Sequence, residues 1–172
     1  MGERGLTEYN FDEQNKIEEK FTPLILQYLR EQSGIEPEDV RSSCLEYDFK
    51  LGNLRFDLKA DTRISTTSNF FIETESVKVT KKGWLFNQNA DYILYLDTKN
   101  LVLYWLNLKR LQAHEKEIKK YPAKTITQDV DYVTSGHAVP IEFITRIALI
   151  RKIDLRKLCE ANPEMVNEAK RP

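Results

Sequence analysis

The sequence predicts a single α/β domain with one central mixed β-sheet, which contains an antiparallel meander and is flanked by helices. The chain has 172 residues, a length typical of one domain. Near its start, apolar residues recur at helical spacing, whereas residues 44–60 alternate between apolar and polar as strands do. Further on, two runs are apolar at nearly every residue, which is typical of strands covered on both faces.

Composition excludes several classes of protein. The 26 basic and 27 acidic residues give a net charge of −1, which excludes a globally basic nucleic-acid binder but not a local basic patch. No apolar stretch is long enough for a transmembrane helix. Cys44 and Cys159 lie too far apart for a zinc motif or a disulfide framework, so we expect a cytoplasmic protein. With only two histidines, chemistry must come from carboxylates, lysines and hydroxyls.

The first predicted element is a helix from about Asp12 to Gln32, which ends at Gly34. Pro23 lies inside it and leaves two alternatives: Thr22 caps a new helix start, or the helix kinks. Glu18 lies at the edge of the apolar stripe and could face inward, although a solvated carboxylate is the favoured interpretation. The stripe consists of Ile17, Phe21, Leu24, Ile25, Tyr28 and Leu29.

Two alternating runs between residues 44 and 60 flank Gly52-Asn53, which is typical of a two-residue hairpin turn. In the register that this turn imposes, Asp48 lies opposite Asp57. Like charges in that arrangement cost up to about 1 kcal/mol, so a compensating cation is expected nearby. The alternative, which the pattern alone slightly favours, is a solvated sheet face that also carries Glu46, Lys50, Arg55 and Lys59.

A third strand is predicted at Asn69–Ser76, with Phe71, Glu73 and Glu75 on one face. If this strand packs beside the second strand of the hairpin, three or four carboxylates converge. Hard divalent ions such as Mg²⁺ prefer such oxygen ligands.

The rest of the chain alternates between predicted strands and helices, and we expect polar residues 1–10 and 163–172 to be frayed. In order, the elements are an irregular loop from Lys81, strands at Ala90–Asp97 and Leu101–Leu106, a helix capped by Asn107 and running to Lys120, a strand at Val130–Thr134, a helix at Ile141–Ile150 with Pro140 in its first turn, and a short helix at Leu155–Ala161.

Asp57, followed after about fifteen residues by an apolar run with Glu73 and Glu75, resembles the PD-(D/E)XK nuclease superfamily. The resemblance extends over roughly residues 12–120 and implies a restriction endonuclease-like fold. Lys82-Gly83-Trp84, followed by residues 90–93, resembles members that include phage and restriction nucleases.

One position departs from the pattern of the family, which usually has a lysine two residues after the second acid. This chain has Glu75 there, as some restriction endonucleases similarly carry an acid. A lysine elsewhere could take that role, and the sequence leaves four candidates open: Lys59, Lys78, Lys81 and Lys82.

The resemblance implies hydrolysis of phosphodiester bonds in DNA with Mg²⁺ or Mn²⁺ as cofactor. Asp57 would be the bridging metal ligand and Glu73 the second ligand, while Glu75 would bind metal or orient the attacking water. Lys78 or Lys59 would stabilise the developing charge. Asp48 and Glu18 complete the predicted set of acids at the metal.

The expected partner is DNA, bound through the basic run that follows the acidic strand at Lys78, Lys81 and Lys82. Trp84 could stack on bases, although a core role is more common. The resemblance also suggests a homodimer, because nucleases of this type often act as dimers to cut two strands. We expect no membrane partner, and no nucleotide cofactor because a glycine-rich phosphate loop is absent. The alternative function, favoured by the missing lysine, is an inactive nuclease-fold module that binds nucleic acid or a protein partner.

Overall fold

A computed structural model describes residues 11–44, 46–76, 81–87, 89–129 and 132–164. The predicted frayed ends lie outside these ranges, apart from Pro163 and Glu164. In chain order the elements are α1 (Phe11–Ser33), β1 (Glu38–Asp39), β2 (Phe49–Leu51), β3 (Leu54–Asp61), α2 (Ile64–Thr67), β4 (Asn69–Ser76), β5 (Lys81–Lys82), α3 (Trp84–Asn87), β6 (Tyr92–Asp97), β7 (Val102–Asn107), α4 (Leu108–Ala113), α5 (Glu115–Ile118), β8 (Ala123–Asp129), β9 (Tyr132–Pro140), α6 (Ile141–Ala148), β10 (Leu149–Asp154) and α7 (Arg156–Ala161).

The strands form two sheets, which confirms the predicted α/β class with a mixed sheet and flanking helices but not a single central sheet. The six-stranded sheet has the order β1-β2-β3-β6-β7-β10, and the four-stranded sheet has the order β5-β4-β9-β8. Within the first, β3 and β6 are parallel. Packing of β4 beside β3 was a wrong expectation. Because β3 gives one edge to β2 and the other to β6, β4 pairs with β9 instead.

Helix α1 confirms the first predicted element and runs through Pro23 without a new start. It ends where Gly34, with a φ of 68°, donates from its backbone N–H to the Arg30 carbonyl. The apolar stripe of α1 packs on one face of the six-stranded sheet, against Phe56 and Leu58 of β3 among others.

The hairpin of β2 and β3 has the predicted register, with Phe49 opposite Phe56 and Leu51 opposite Leu54. Gly52 has a φ of 58° in the turn, which glycine adopts readily. Strand β2 is shorter than the alternation predicted, so β3 continues past its end. Backbone N–H groups on that part of β3 need other acceptors.

Strands β6 and β7 confirm the two apolar runs. The Asn107 side chain accepts a hydrogen bond from the Arg110 backbone N–H at 3.0 Å, as predicted for a cap. The helix that it caps breaks at His114 into α4 and α5, instead of continuing to Lys120.

Several later boundaries differ from the prediction. Of the strand expected at residues 130–134, residues 132–134 belong to the longer β9, and residues 130 and 131 lie outside the described part. Pro140 lies at the cap of α6 rather than in its first turn. Residues 81–84 form β5 and the start of α3, instead of a loop. In the described part of the chain, no helix has the length and apolar character needed to cross a membrane.

Two hydrophobic clusters lie on opposite faces of the six-stranded sheet. One contains Phe56 and Leu58 with α1, and the other contains Ile93 and Tyr95 with residues of β4, α4 and α6. Side chains alternate along a strand, so Asp57 and Lys59 of β3 point away from α1. Both therefore project toward the side on which the second sheet packs.

Candidate functional site

Asp57 and Lys59 form a charge pair on β3. The Lys59 Nζ lies 2.6 Å from the Asp57 Oδ2. Asp57 is almost completely buried, whereas the Lys59 side chain keeps 23% of its surface exposed. Because the two residues are separated by one position on a strand, they share a face of the sheet, and this spacing makes the pair possible.

Two further carboxylates reach the edge of β3 beyond the end of β2. The Leu58 backbone N–H donates to the Asp48 Oδ2 at 2.7 Å, and the Ala60 backbone N–H donates to the Glu18 Oε1 at 3.4 Å. These acids take the place of the missing strand partner. As a result, α1 and the segment before β2 bring two acids to the Asp57–Lys59 pair.

The environment makes Asp57 hard to ionise. Burial raises the pKa of Asp57 from its ordinary 3.8 to about 7. The Lys59 ammonium opposes this rise in pKa, whereas the negative charges of Asp48 and Glu18 add to it. The site therefore carries more negative charge than its single ammonium balances.

The same surroundings keep Lys59 charged. Burial by itself would lower the pKa of Lys59, but the neighbouring carboxylates of Asp57, Glu18 and Asp48 raise it above its ordinary value. The side chain consequently remains a charged ammonium at neutral pH.

Glu73 approaches the same lysine from β4 of the second sheet. Burial raises the pKa of Glu73 from 4.5 to about 7, while the Lys59 ammonium and the Trp84 backbone N–H oppose the rise. That N–H donates to the Glu73 Oε1 at 3.3 Å. Gly83 packs so tightly here that a Cβ would lie 2.6 Å from the Glu73 Cγ. The Lys82-Gly83-Trp84 segment thus covers the acid.

The remaining predicted residues lie elsewhere. Glu75 follows an irregularity in the pairing of β4, opposite Lys82 of β5, and is not among the charges that act on Asp57, Lys59 or Glu73. Lys82 is exposed, with its Nζ 6.0 Å from the Phe86 ring centroid. Lys78 and the side chain of Lys81 lie outside the described part of the chain.

Trp84 belongs to the hydrophobic core and is only 6% exposed. The same buried cluster contains residues of β6 and β7. The core role, rather than base stacking, is the one that this packing supports.

Asp57-Leu58-Lys59 has the spacing of an acid followed two positions later by lysine. This signal is present in the sequence, but it was missed because Glu73 and Glu75 were taken as the acidic pair. With Asp48 as the preceding acid, the hairpin alone supplies two acids and a lysine. Lys59 is therefore the one of the four candidate lysines that the described structure brings to the acids.

As placed, no three His, Cys, Asp or Glu side chains among the described residues are arranged to hold a metal ion. The acids instead surround one lysine: Asp57, Asp48 and Glu18 act on it from one sheet and helix, and Glu73 acts from the other sheet. All of these donors are carboxylates, which are hard oxygen ligands.

Comparisons of this chain with models of protein families, with curated proteins and with solved structures find no match.

Proposed function

We propose that this chain is a divalent-metal-dependent nuclease that hydrolyses phosphodiester bonds in DNA. The observation that carries the proposal is the buried Asp57–Lys59 pair with two further acids at the same edge of β3. Asp48, Asp57 and Lys59 follow the order of the PD-(D/E)XK pattern, an acid and then a second acid with lysine two residues later. Glu73 is the alternative second acid of that pattern.

Carboxylates are the type of ligand that a hard divalent ion prefers. Burial raises the pKa of Asp57, and the negative charges of Asp48 and Glu18 add to that rise. A bound cation would offset these negative charges. Asp57 and Asp48 would hold Mg²⁺ or Mn²⁺, with Glu18 or Glu73 as a further ligand. When bound, the ion supplies an activated water and neutralises charge on the phosphoryl oxygens.

The protein's own groups have separate tasks. Lys59 remains an ammonium and stabilises the negative charge that develops on the phosphoryl group. The backbone N–H groups of Leu58 and Ala60 hold Asp48 and Glu18 at the edge of β3. Glu73 adds a further carboxylate from the second sheet, close enough for the Lys59 charge to act on it. In this proposal Asp57 and Lys59, which act at the reacting phosphate and its metal, both lie on β3 beyond the end of β2.

DNA would be held through phosphate contacts rather than base recognition. The basic run at Lys78, Lys81 and Lys82 follows β4, the strand that carries Glu73. Lysine contacts with phosphates give affinity that falls as salt rises. A homodimer in the cytoplasm, with one site for each strand, completes the proposal.

One observation favours a second candidate, a nuclease-fold module without catalysis. One oxygen of Asp48 and one of Glu18 already accept backbone hydrogen bonds, and the described acids are not arranged for a metal ion as placed. In that case both acids would serve to close the edge of β3.

The test is incubation with supercoiled, linear and branched DNA, with Mg²⁺, with Mn²⁺ and with chelator. We expect cleavage with either ion and none with chelator. Calorimetric titration with Mn²⁺ measures binding separately. Absence of both cleavage and Mn²⁺ binding in the wild type would reject the nuclease and leave the binding module.

A further inference from the structure

The turn of α1 that carries Glu18 lacks one regular helical hydrogen bond. Pro23 has no backbone N–H, so the Glu19 carbonyl, four residues earlier, does not receive its usual partner. The Thr22 hydroxyl donates to the Glu18 carbonyl at 2.8 Å. A partner from outside the helix that binds the Thr22 hydroxyl would therefore act on the turn that carries Glu18.

Arg41 supplies such a contact. Its Nη1 donates to the Thr22 Oγ1 at 2.9 Å, although the two residues are nineteen positions apart. Asp39 holds the same guanidinium at two points, with Nε to Oδ1 at 2.9 Å and Nη2 to Oδ2 at 2.6 Å. Thr22 is 3% exposed, so its hydroxyl has little access to water as an alternative partner.

The segment around Arg41 also touches the second acid. The Val40 backbone N–H donates to the Asp48 carbonyl at 2.9 Å, and Asp39 pairs with Phe49 in the strand that follows. The Arg41 guanidinium lies 5.6 Å from the centroid of the Phe49 ring. Residues 39–41 therefore connect the backbone of Asp48 to the helical turn of Glu18.

We propose that Arg41, acting through Thr22, is a positioning residue that fixes Glu18 relative to Asp48 at the edge of β3. The inference rests on the proposed nuclease function and adds to it a part that the sequence did not indicate. Arg41 does not touch the reacting atoms in this assignment. It acts by holding the turn that Pro23 weakens.

The chain contains a matched control at the other end of α1. Arg30 pairs with Glu36, and both side chains are largely exposed. This pair also joins α1 to the segment that follows it, but it contacts neither Thr22 nor Asp48 in the described structure. A general loss of helix anchoring would therefore follow from either arginine, whereas loss of Glu18 positioning follows from Arg41 alone.

The first experiment measures Mn²⁺ affinity by calorimetry, together with kcat and KM for DNA. We expect Arg41→Met and Thr22→Val each to weaken Mn²⁺ binding about tenfold, as loss of a supporting partner does at metal sites. In both variants kcat should fall with little change in KM. Glu18→Gln should show the same loss of Mn²⁺ affinity and of kcat. Thr22→Ser keeps the hydroxyl and should retain wild-type affinity, as should Arg30→Met. Unchanged Mn²⁺ affinity in Arg41→Met would overturn the proposal.

The second experiment needs neither metal nor activity. The Tm shifts of Arg41→Met and Glu18→Gln should not add in the double variant, because the two residues act through one turn. The shifts of Arg30→Met and Glu18→Gln should add. Additive shifts for Arg41 and Glu18 would overturn the positioning role. A wild type that neither binds Mn²⁺ nor cleaves DNA would instead reject the nuclease, and the Tm comparison would still decide the role of Arg41.

Discussion

The chain contains the same short pattern, aspartate–leucine–base, in two very different places. Asp57-Leu58-Lys59 lies on β3, and Asp154-Leu155-Arg156 joins β10 to α7. In the first pair the aspartate is buried and its pKa rises to about 7. In the second pair, hydrogen bonds from the Arg156 side chain and backbone lower the pKa of Asp154 to about 2.

The spacing of acid and base therefore allows an ion pair to form but does not set the pKa of the acid. Asp154 accepts from the Arg156 backbone N–H at 3.0 Å and from its Nε at 2.8 Å, at an exposed position. Asp57 has a comparable partner, yet burial and two neighbouring acids outweigh it. Four experiments use the exposed pair as the control for the buried one.

The largest effect is expected on cleavage. Asp57→Asn should reduce the rate of DNA cleavage with Mn²⁺ by about 10³-fold, since it removes a carboxylate that would hold the ion. Asp154→Asn should cleave at the wild-type rate in the same assay. Equal rates for Asp57→Asn and the wild type would remove Asp57 from the site.

The next effect concerns stability. Lys59→Met leaves buried Asp57 without its cation, and we expect the free energy of unfolding to fall by about 3 kcal/mol. Arg156→Met removes a partner that is exposed to water, so its effect on stability should be far smaller than that of Lys59→Met. An unchanged free energy of unfolding in Lys59→Met would mean that burial of the Asp57–Lys59 pair does not affect stability.

The contributions of Asp57 and Asp154 to stability should depend on pH in opposite ways. The folded protein keeps protons on Asp57 and Glu73 up to about pH 7, whereas the unfolded chain releases them near pH 4. In metal-free buffer these groups therefore make the free energy of unfolding fall between about pH 4 and pH 7, by up to about 1.4 kcal/mol per pH unit for each.

Asp154 acts in the opposite sense, since its contribution is present above its ordinary pKa and is lost as the pH falls toward about 2. Measuring Tm against pH for the wild type and Asp57→Asn separates these contributions. The variant should show a shallower decline between pH 4 and pH 7. Parallel curves would contradict the raised pKa of Asp57.

The smallest effect is expected from exchanging one base for the other. Lys59→Arg keeps the charge but places a larger, planar group in a space shaped for an ammonium, and we expect about a tenfold lower cleavage rate. Arg156→Lys, at an exposed position, should leave cleavage and Tm unchanged. Full activity of Lys59→Arg would show that only the charge matters at this position.

Local features of the fold were predictable from the sequence. The apolar stripe predicted α1 to within one residue at each end, and Gly52-Asn53 predicted the hairpin register that pairs Phe49 with Phe56. Strand β4 has the predicted bounds. These predictions rest on periodicity and turn chemistry, which neighbouring residues decide among themselves.

Pairing between distant segments was not predictable in the same way. Strand β4 was expected beside β3, but β6 occupies that edge and β4 pairs with β9, more than fifty residues further along the chain. An apolar strand gives little information about which edge it will join. The position of Glu73 therefore depends on which strand pairs with the free edge of β3, and no local sequence pattern indicates that.

The sequence alone determines which residue types the site contains, namely carboxylates and lysines. It also determines that an acid and a base lie two residues apart on one face of a strand. Which of the two matching pairs is buried depends on the tertiary structure, which also brings the charges of Glu18 and Asp48 near Asp57 and that of Lys59 near Glu73. The physical reason is that a pKa depends on desolvation and on nearby charges. At Asp57 both are supplied by α1, β2 and the second sheet, which are separate in the sequence and meet only in the folded protein.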